Sequence, residues 1–188
     1  MSERRKLRFS VFDALLIALI LAILVKITLF SAFKVEGDSM LPTLHPGDLI
    51  LCVKPVLFST PAWNSRKKSF GMSKNLKRGD IVVFKPATFP DTEYVKRVIA
   101  VPGENMTILG GKVTIDGKKL GEAYLSADSA DETGEDISFH TPEGYIFVMG
   151  DNRPHSQDSR TIGPVAVSNI EGKCVAIYKP LKHFRLFR

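Results

Sequence analysis

A mainly antiparallel β domain behind a single N-terminal membrane-spanning helix is the architecture that this 188-residue sequence predicts. An unbroken apolar run stands near the N-terminus, and from Val35 onward short apolar runs alternate with turn residues. No internal repeat or low-complexity tract interrupts them. The length suits one sizeable domain plus an anchor, and is too short for two independent cores.

The anchor comes first. Arg4, Arg5, Lys6 and Arg8 precede an apolar stretch over residues 9–33, whose heart, Ala14 to Val25, carries no charge. Asp13 and Lys26 mark its ends, and Lys26 is placed to snorkel toward headgroups. A basic leading flank keeps residues 1–8 cytoplasmic and sends residues 34–188 across the cell membrane in a single pass. A cleaved signal peptide shares the basic start, but Ser31-Ala32-Phe33 is a poor small-residue cleavage site. A buried core helix would show a polar face, and this stretch shows none.

Leu49–Val53, Asp80–Phe84, Tyr94–Val101, Lys112–Ile115, Tyr145–Met149 and Cys174–Tyr178 read as strands. Asp116-Gly117 reads as a tight hairpin turn, and Pro46-Gly47, Pro102-Gly103 and Pro142-Glu143-Gly144 as further turns. Lys54–Lys77 mixes aromatic and basic residues; it reads equally as a loop on anionic lipid or as an ordinary basic surface loop. Ser126–Asp136 reads as an acidic solvated loop. The tail from Leu181 to Arg188 alternates basic and apolar groups, which fits either lipid headgroups or an edge strand.

The formal net charge of +6 admits nucleic acid, anionic lipid or simple solubility. No zinc-finger spacing, basic zipper or RNA-binding aromatic signature accompanies it, so nucleic acid is not expected as a partner. The two cysteines, Cys52 and Cys174, make no metal-ligand pattern and read as buried free thiols.

Three segments carry candidate chemistry. In Gly37-Asp38-Ser39-Met40-Leu41-Pro42-Thr43-Leu44, glycine permits a sharp turn before Ser39 and Pro42 stiffens the chain after it. A nucleophilic serine needs such a rigid, exposed setting, with an amide facing the developing oxyanion. Many loops contain a glycine-serine turn, so this segment alone specifies little. In Tyr94–Val101, Lys96 shares a strand face with Tyr94, Val98 and Ala100. Burial there lowers an amine from its ordinary ~10.4 toward neutrality and makes it a base for Ser39 with no histidine required. On its own, such a lysine is more often one whose stem packs while its head reaches solvent. Gly150 to Arg160 packs many hydrogen-bonding groups into one loop, able to orient a base and tie strands together. Calcium-loop spacing is missing from it. No metal or cofactor is expected, and His45, His140 and His183 carry no motif.

Taken together, four segments resemble the successive boxes of bacterial type I signal peptidases: Gly37–Leu44, Arg78–Phe84, Lys96–Glu104 and Gly150–Arg160. They stand in that family's order behind an anchor and cover nearly the whole domain. The resemblance implies an antiparallel β catalytic core of signal-peptidase type, with a small cap inserted over residues 103–142. It implies Ser39 as nucleophile and Lys96 as general base, with Ser156 orienting that lysine. Asp158 and Arg160 would brace the site, with Asp151, Asn152 and Arg153 shaping the same loop. The Ser39 backbone amide would serve the oxyanion; Gly37 stands where some members carry a second, hydroxyl donor, so that donor stays open. Substrates would be secretory preproteins cut after a small-x-small segment, by a monomer at the membrane lipid surface.

Three rivals follow from the same residues. A self-cleaving repressor-type Ser-Lys protease lacks a reason for the anchor and would carry a DNA-binding helix pair. A Ser-His-Asp hydrolase would need His155 with Asp151 or Asp158. An inactive membrane-tethered module that binds extended peptide would tolerate loss of Lys96.

Overall fold

A computed structural model describes residues 11–55, 76–126 and 136–187. The cytoplasmic residues 1–8 lie outside the described residues, as do most of the aromatic-basic segment Lys54–Lys77 and of the acidic Ser126–Asp136.

Helix α1, Val11–Leu29, is apolar on every side; its mean hydropathy is 2.5 and none of its residues is buried against the protein. A nineteen-residue helix of this composition is long enough to cross a bilayer core. The apolar run does not stay helical to Phe33, however. Strand β1, Phe30–Lys34, takes over and pairs antiparallel with β2, Leu49–Val53. Bulky residues in this stretch serve a sheet as readily as a helix, and tertiary pairing decides. The chain thus passes from helix to sheet without a linker, and Lys54 Nζ donates to the Ile27 carbonyl at 2.7 Å across that junction.

The remaining strands are β3 Ile81–Phe84, β4 Tyr94–Ala100, β5 Asn105–Leu109, β6 Lys112–Ile115, β7 Lys118–Lys119, β8 Ile137–His140, β9 Tyr145–Met149, β10 Val165–Ala166, β11 Ile170–Lys179 and β12 Arg185–Leu186. A short helix α2, Ser159–Ile162, lies between β9 and β10. The larger sheet runs β1-β2-β11-β3-β4-β9-β10, with β12 beside β11. The smaller runs β7-β6-β5-β8 and comes entirely from the segment between β4 and β9, which are neighbours in the larger sheet. All pairings are antiparallel. Six of these strands coincide with the apolar runs read from the sequence; β1, β5, β8 and the two-residue strands do not announce themselves by alternation. Asp116 at φ 49 and Gly117 at φ 75 form the two-residue turn between β6 and β7, since both centres of that turn need positive φ.

Three apolar clusters are formed among the described residues. One gathers Val82, Phe84, Val98, Ile146 and Val148 around the outer ends of β3, β4 and β9. A second gathers Met40, Leu44, Ile50, Cys52, Ile81, Val83 and Ile177 beneath the chain that follows β1. The third joins Ile99, Ala100, Phe147 and Met149 of the larger sheet to Met106, Ile108, Val113 and Ile115 of the smaller. A bulge between Val98 and Ala100 changes the alternation within β4, so Ala100 leaves the side occupied by Tyr94 and Val98 and packs with Ile99 in the third cluster. Cys52 and Cys174 are register partners on β2 and β11, both free and buried.

Candidate active site

Ser39 lies in a loop pinned on both sides. Val35 N–H donates to the Asp48 carbonyl at 2.8 Å and Gly47 N–H to the Val35 carbonyl at 2.7 Å, closing the loop at its base. Met40 and Leu44 of the serine segment are fully buried in the second cluster. Deep burial of both leaves little freedom to the turn between Asp38 and Leu41, where the Leu41 N–H donates to the Asp38 carbonyl at 3.0 Å. The Ser39 carbonyl accepts from Asn152 N–H at 2.9 Å, and Asn152 Nδ2 donates to the Asp38 carbonyl at 3.2 Å. Asn152 therefore fastens the serine turn to the loop after β9.

Lys96 reaches the same point from β4. Its Nζ stands 2.8 Å from Ser39 Oγ and donates to the Val95 carbonyl at 3.0 Å. The Tyr94 ring lies under it, 5.3 Å to the centroid. Only 4% of Lys96 is exposed, and no carboxylate pairs with it among the described residues. Desolvation pushes its pKa down to about 8 from 10.5; the Asp158 and Asp151 carboxylates pull upward more weakly, and Arg160 adds to the lowering.

The loop after β9 forms the rear wall. Asp158, fully buried, takes hydrogen bonds from Gly150 N–H at 2.9 Å, Ser156 Oγ at 2.7 Å, and Arg160 Nε and Nη2 at 2.8 Å each. It also caps α2 through the Arg160 N–H. Arg160 Nη2 donates further to the Arg153 carbonyl at 2.7 Å. Arg153, buried, donates to the Gly150 carbonyl and pairs with Glu122, so the loop is stitched to the chain beyond β7. Ser156 differs from its expected place: its hydroxyl donates to Asp158 and makes no bond to Lys96. The Asp158 carboxylate that accepts from it favours the Lys96 ammonium.

Arg97, next to Lys96, carries no role in the sequence reading and is tied by four side-chain hydrogen bonds. Its Nε and Nη2 hold Asp151 in a fork at 2.8 and 2.6 Å, Nη1 donates to the Gly79 carbonyl at 2.8 Å, and Nη2 reaches Thr43 Oγ1 at 3.2 Å. The Tyr124 ring covers its guanidinium at 4.0 Å. One side chain thereby joins the serine loop, the turn before β3 and the loop after β9. The signal was present as an arginine in a buried strand and an aspartate just past the adjacent one.

Gly150 is the other omission. A Cβ there would fall 2.3 Å from Ser156 Oγ and 2.5 Å from the Ser39 carbonyl oxygen, so the two loops approach through the space a side chain would fill. His155 is exposed and joins none of these contacts, which leaves the Ser-His-Asp reading without a base.

A groove of about 730 Å³ opens at Ser39 and Lys96, walled by Phe33, Val35, Ile50, Val83, Tyr94 and Val95. Tyr94 donates across it to Gln157 Oε1 at 2.9 Å. The Ser39 N–H has no protein acceptor among the described residues and is available to a bound group.

Comparison with known proteins shows the family. The family model described as signal peptidase, peptidase S26, matches residues 8–179. Signal peptidase I T of Bacillus subtilis (strain 168) is 36% identical over 180 residues, covering 92% of this chain and 86% of its own. Signal peptidase I of Bacillus licheniformis is 32% identical over 192 residues, 98% of this chain and 95% of its own. A crystal structure of a signal peptidase I from Enterococcus faecalis V583 is 32% identical and superposes with a TM-score of 0.48, covering 52% of this chain and 95% of that one. With the family matched across nearly its whole length, this chain belongs to the signal peptidases, peptidase family S26.

Proposed function

We propose that this chain is a membrane-anchored serine endopeptidase that removes signal peptides from secretory preproteins, with Ser39 as nucleophile and Lys96 as its base. The observation that carries the reading is the 2.8 Å approach of a buried, carboxylate-free lysine to the hydroxyl of a pinned serine. Neutral Lys96 takes the Ser39 proton as Oγ attacks the scissile carbonyl. The oxyanion forms against the Ser39 N–H, and the Lys96 ammonium then protonates the leaving amine. Water, activated by the same amine, releases the acyl group from Ser39. Asp158, Arg160, Asp151, Asn152 and Arg153 touch no reacting atom; they hold the two loops at this separation, and Ser156 acts through Asp158.

The substrate lies extended in the groove between residues 32–39 and 91–96, in the manner of strand addition. The resemblance places the cut after a small-x-small segment, so the small side chains precede the cleaved bond, at the first and third positions of that segment. Ser39 follows α1 by ten residues, of which five form β1, so cleavage takes place close to the membrane surface. The basic flank of α1 sets the N-terminus in the cytoplasm and the catalytic domain on the other side.

The deciding experiment is cleavage of a preprotein bearing an Ala-x-Ala site by the detergent-solubilised full chain. Wild type is expected to cut at that site in trans, and Ser39→Ala and Lys96→Met to be inactive yet folded. Activity retained in either variant sinks the dyad. Binding without cleavage by wild type favours the peptide-binding module, and cleavage confined to its own chain favours the self-processing reading.

A further inference from the structure

We propose that His45, Asp48 and His183 bind a divalent transition-metal ion, zinc by preference, at a site independent of the peptidase reading. His183 Nδ1 lies 2.7 Å from Asp48 Oδ1, and His45 Nδ1 lies 4.0 Å from Asp48 Oδ2. The two imidazoles face each other with centroids 4.8 Å apart and planes tilted by 34°. One donor atom from each residue lies within 4.8 Å of the other two. Zinc holds nitrogen and oxygen at about 2.0–2.2 Å, which sets tetrahedral donors roughly 3.4 Å apart. The widest separation in the set exceeds that spacing by about 1.4 Å at most and the His183–Asp48 pair falls short of it by about 0.7 Å, offsets within the reach of side-chain rotation.

The parts that must stay fixed are fixed. Asp48 is 1% exposed, and its Oδ2 accepts the His45 N–H at 2.8 Å while its own N–H donates to the His45 carbonyl at 3.0 Å. Outer contacts of this kind hold a ligating carboxylate in orientation. The part that must move is free to move, because the His45 side chain is 46% exposed. Two imidazoles and one carboxylate suit zinc and its neighbours; calcium and magnesium take oxygen ligands. An open concavity of about 570 Å³, bounded by Asp48, Pro180 and His183, admits the ion and leaves a fourth position for water. It shares no lining residue with the substrate groove.

The consequence is mechanical. His45 and Asp48 form the turn that closes the Ser39 loop, and His183 sits in the 3-10 turn Leu181–His183, 135 residues on from Asp48. A shared ion staples the C-terminal segment to the base of the serine loop.

The test uses the full chain in detergent, purified without a polyhistidine tag and stripped with chelator, then titrated with Co²⁺ and back-titrated with Zn²⁺. We expect a single saturable site with tetrahedral-type visible absorption and no thiolate charge-transfer band, displaced by zinc. His45→Ala and His183→Ala should each weaken binding at least tenfold, equivalent to about 1.4 kcal/mol, whereas His140→Ala and His155→Ala should not. His183→Gln, which keeps a hydrogen-bonding group beside Asp48, should lose the ion equally and guards against misfolding of the alanine variant. Absence of saturable binding, equal binding by all the variants, or a thiolate band pointing to Cys52 and Cys174 would each overturn the proposal.

Discussion

Lys96 and Arg97 are neighbours on β4, both are buried, and their side chains leave the strand in opposite directions. Lys96 points toward the open groove, where it meets a hydroxyl, a carbonyl and a ring face but no counter-ion. Arg97 points the other way, into a buried site where its donors meet Asp151, Thr43 and the Gly79 carbonyl, and Tyr124 covers its plane. Burial without a partner destabilises the ammonium and suits Lys96 to the base role proposed for it; burial with full pairing makes Arg97 a clamp. A guanidinium has the fixed fork that the clamp requires, and a lysine has the titratable amine that catalysis requires. Exchanging the two residues should abolish both roles.

The sharpest break of the comparison is to make each side chain apolar in turn. Lys96→Met should reduce kcat/KM by about 10³-fold or more, as removal of a general base does, with no loss of stability. Arg97→Met should instead unfold the domain more readily, by roughly 3–5 kcal/mol, because Asp151 is left as an unpaired buried charge. Denaturant midpoints and steady-state cleavage on the same preparations separate the two. If Lys96→Met proves as destabilised as Arg97→Met, the lysine is structural and the contrast fails.

A smaller effect sharpens the link between the loops. Gly150→Ala puts a methyl where Ser156 Oγ and the Ser39 carbonyl now stand, so one loop must retreat. A misplacement of about 1 Å costs on the order of 100-fold in rate. The expected result is a lowered kcat with KM little changed and the larger sheet intact by circular dichroism. Wild-type turnover would mean the two loops are not held in contact during catalysis.

Much of this site was legible in the sequence because the boxes carry their chemistry locally. Ser39 sits between buried Met40 and a turn, and Lys96 lies within an apolar strand, so each stands out beside its neighbours. Gly150 and Arg97 were within the quoted segments but not legible as to role: their importance lies in what the fold brings against them from the serine loop and from beyond β9. β1 was hidden for a different reason. Phe30 and Phe33 extend the apolar run of α1, and only pairing with β2 turns that end of the run into a strand. The resemblance puts Ser156 on the lysine, whereas the packing around Asp158 takes its hydroxyl to that carboxylate. His45 and His183 lie too far apart in sequence for any spacing rule to join them.

Acidity offers the finest test of the difference between the two cations. With the Lys96 pKa lowered to about 8, the reactive neutral amine is the minority form at pH 7. The logarithm of kcat/KM should therefore rise with unit slope through the acid range and level off above about 8. Stability carries the same signature with a definite sign. The native state releases the Lys96 proton near 8, whereas the unfolded chain holds it to about 10.5. Between those values the unfolded state binds more protons, so stability rises with pH across that window, and below it the buried ammonium is a standing cost. The cost is on the order of 3 kcal/mol, from about 1.4 kcal/mol per pH unit of displacement. Lys96→Met should lose the rise and match or exceed wild-type stability at pH 7. Conservative loss of charge at Arg97 should leave the rise in place, because the pH dependence belongs to the cation that has no partner. A Lys96→Met protein whose stability still climbs between pH 8 and 10.5 would assign that proton to another group and leave the lysine charged at the site.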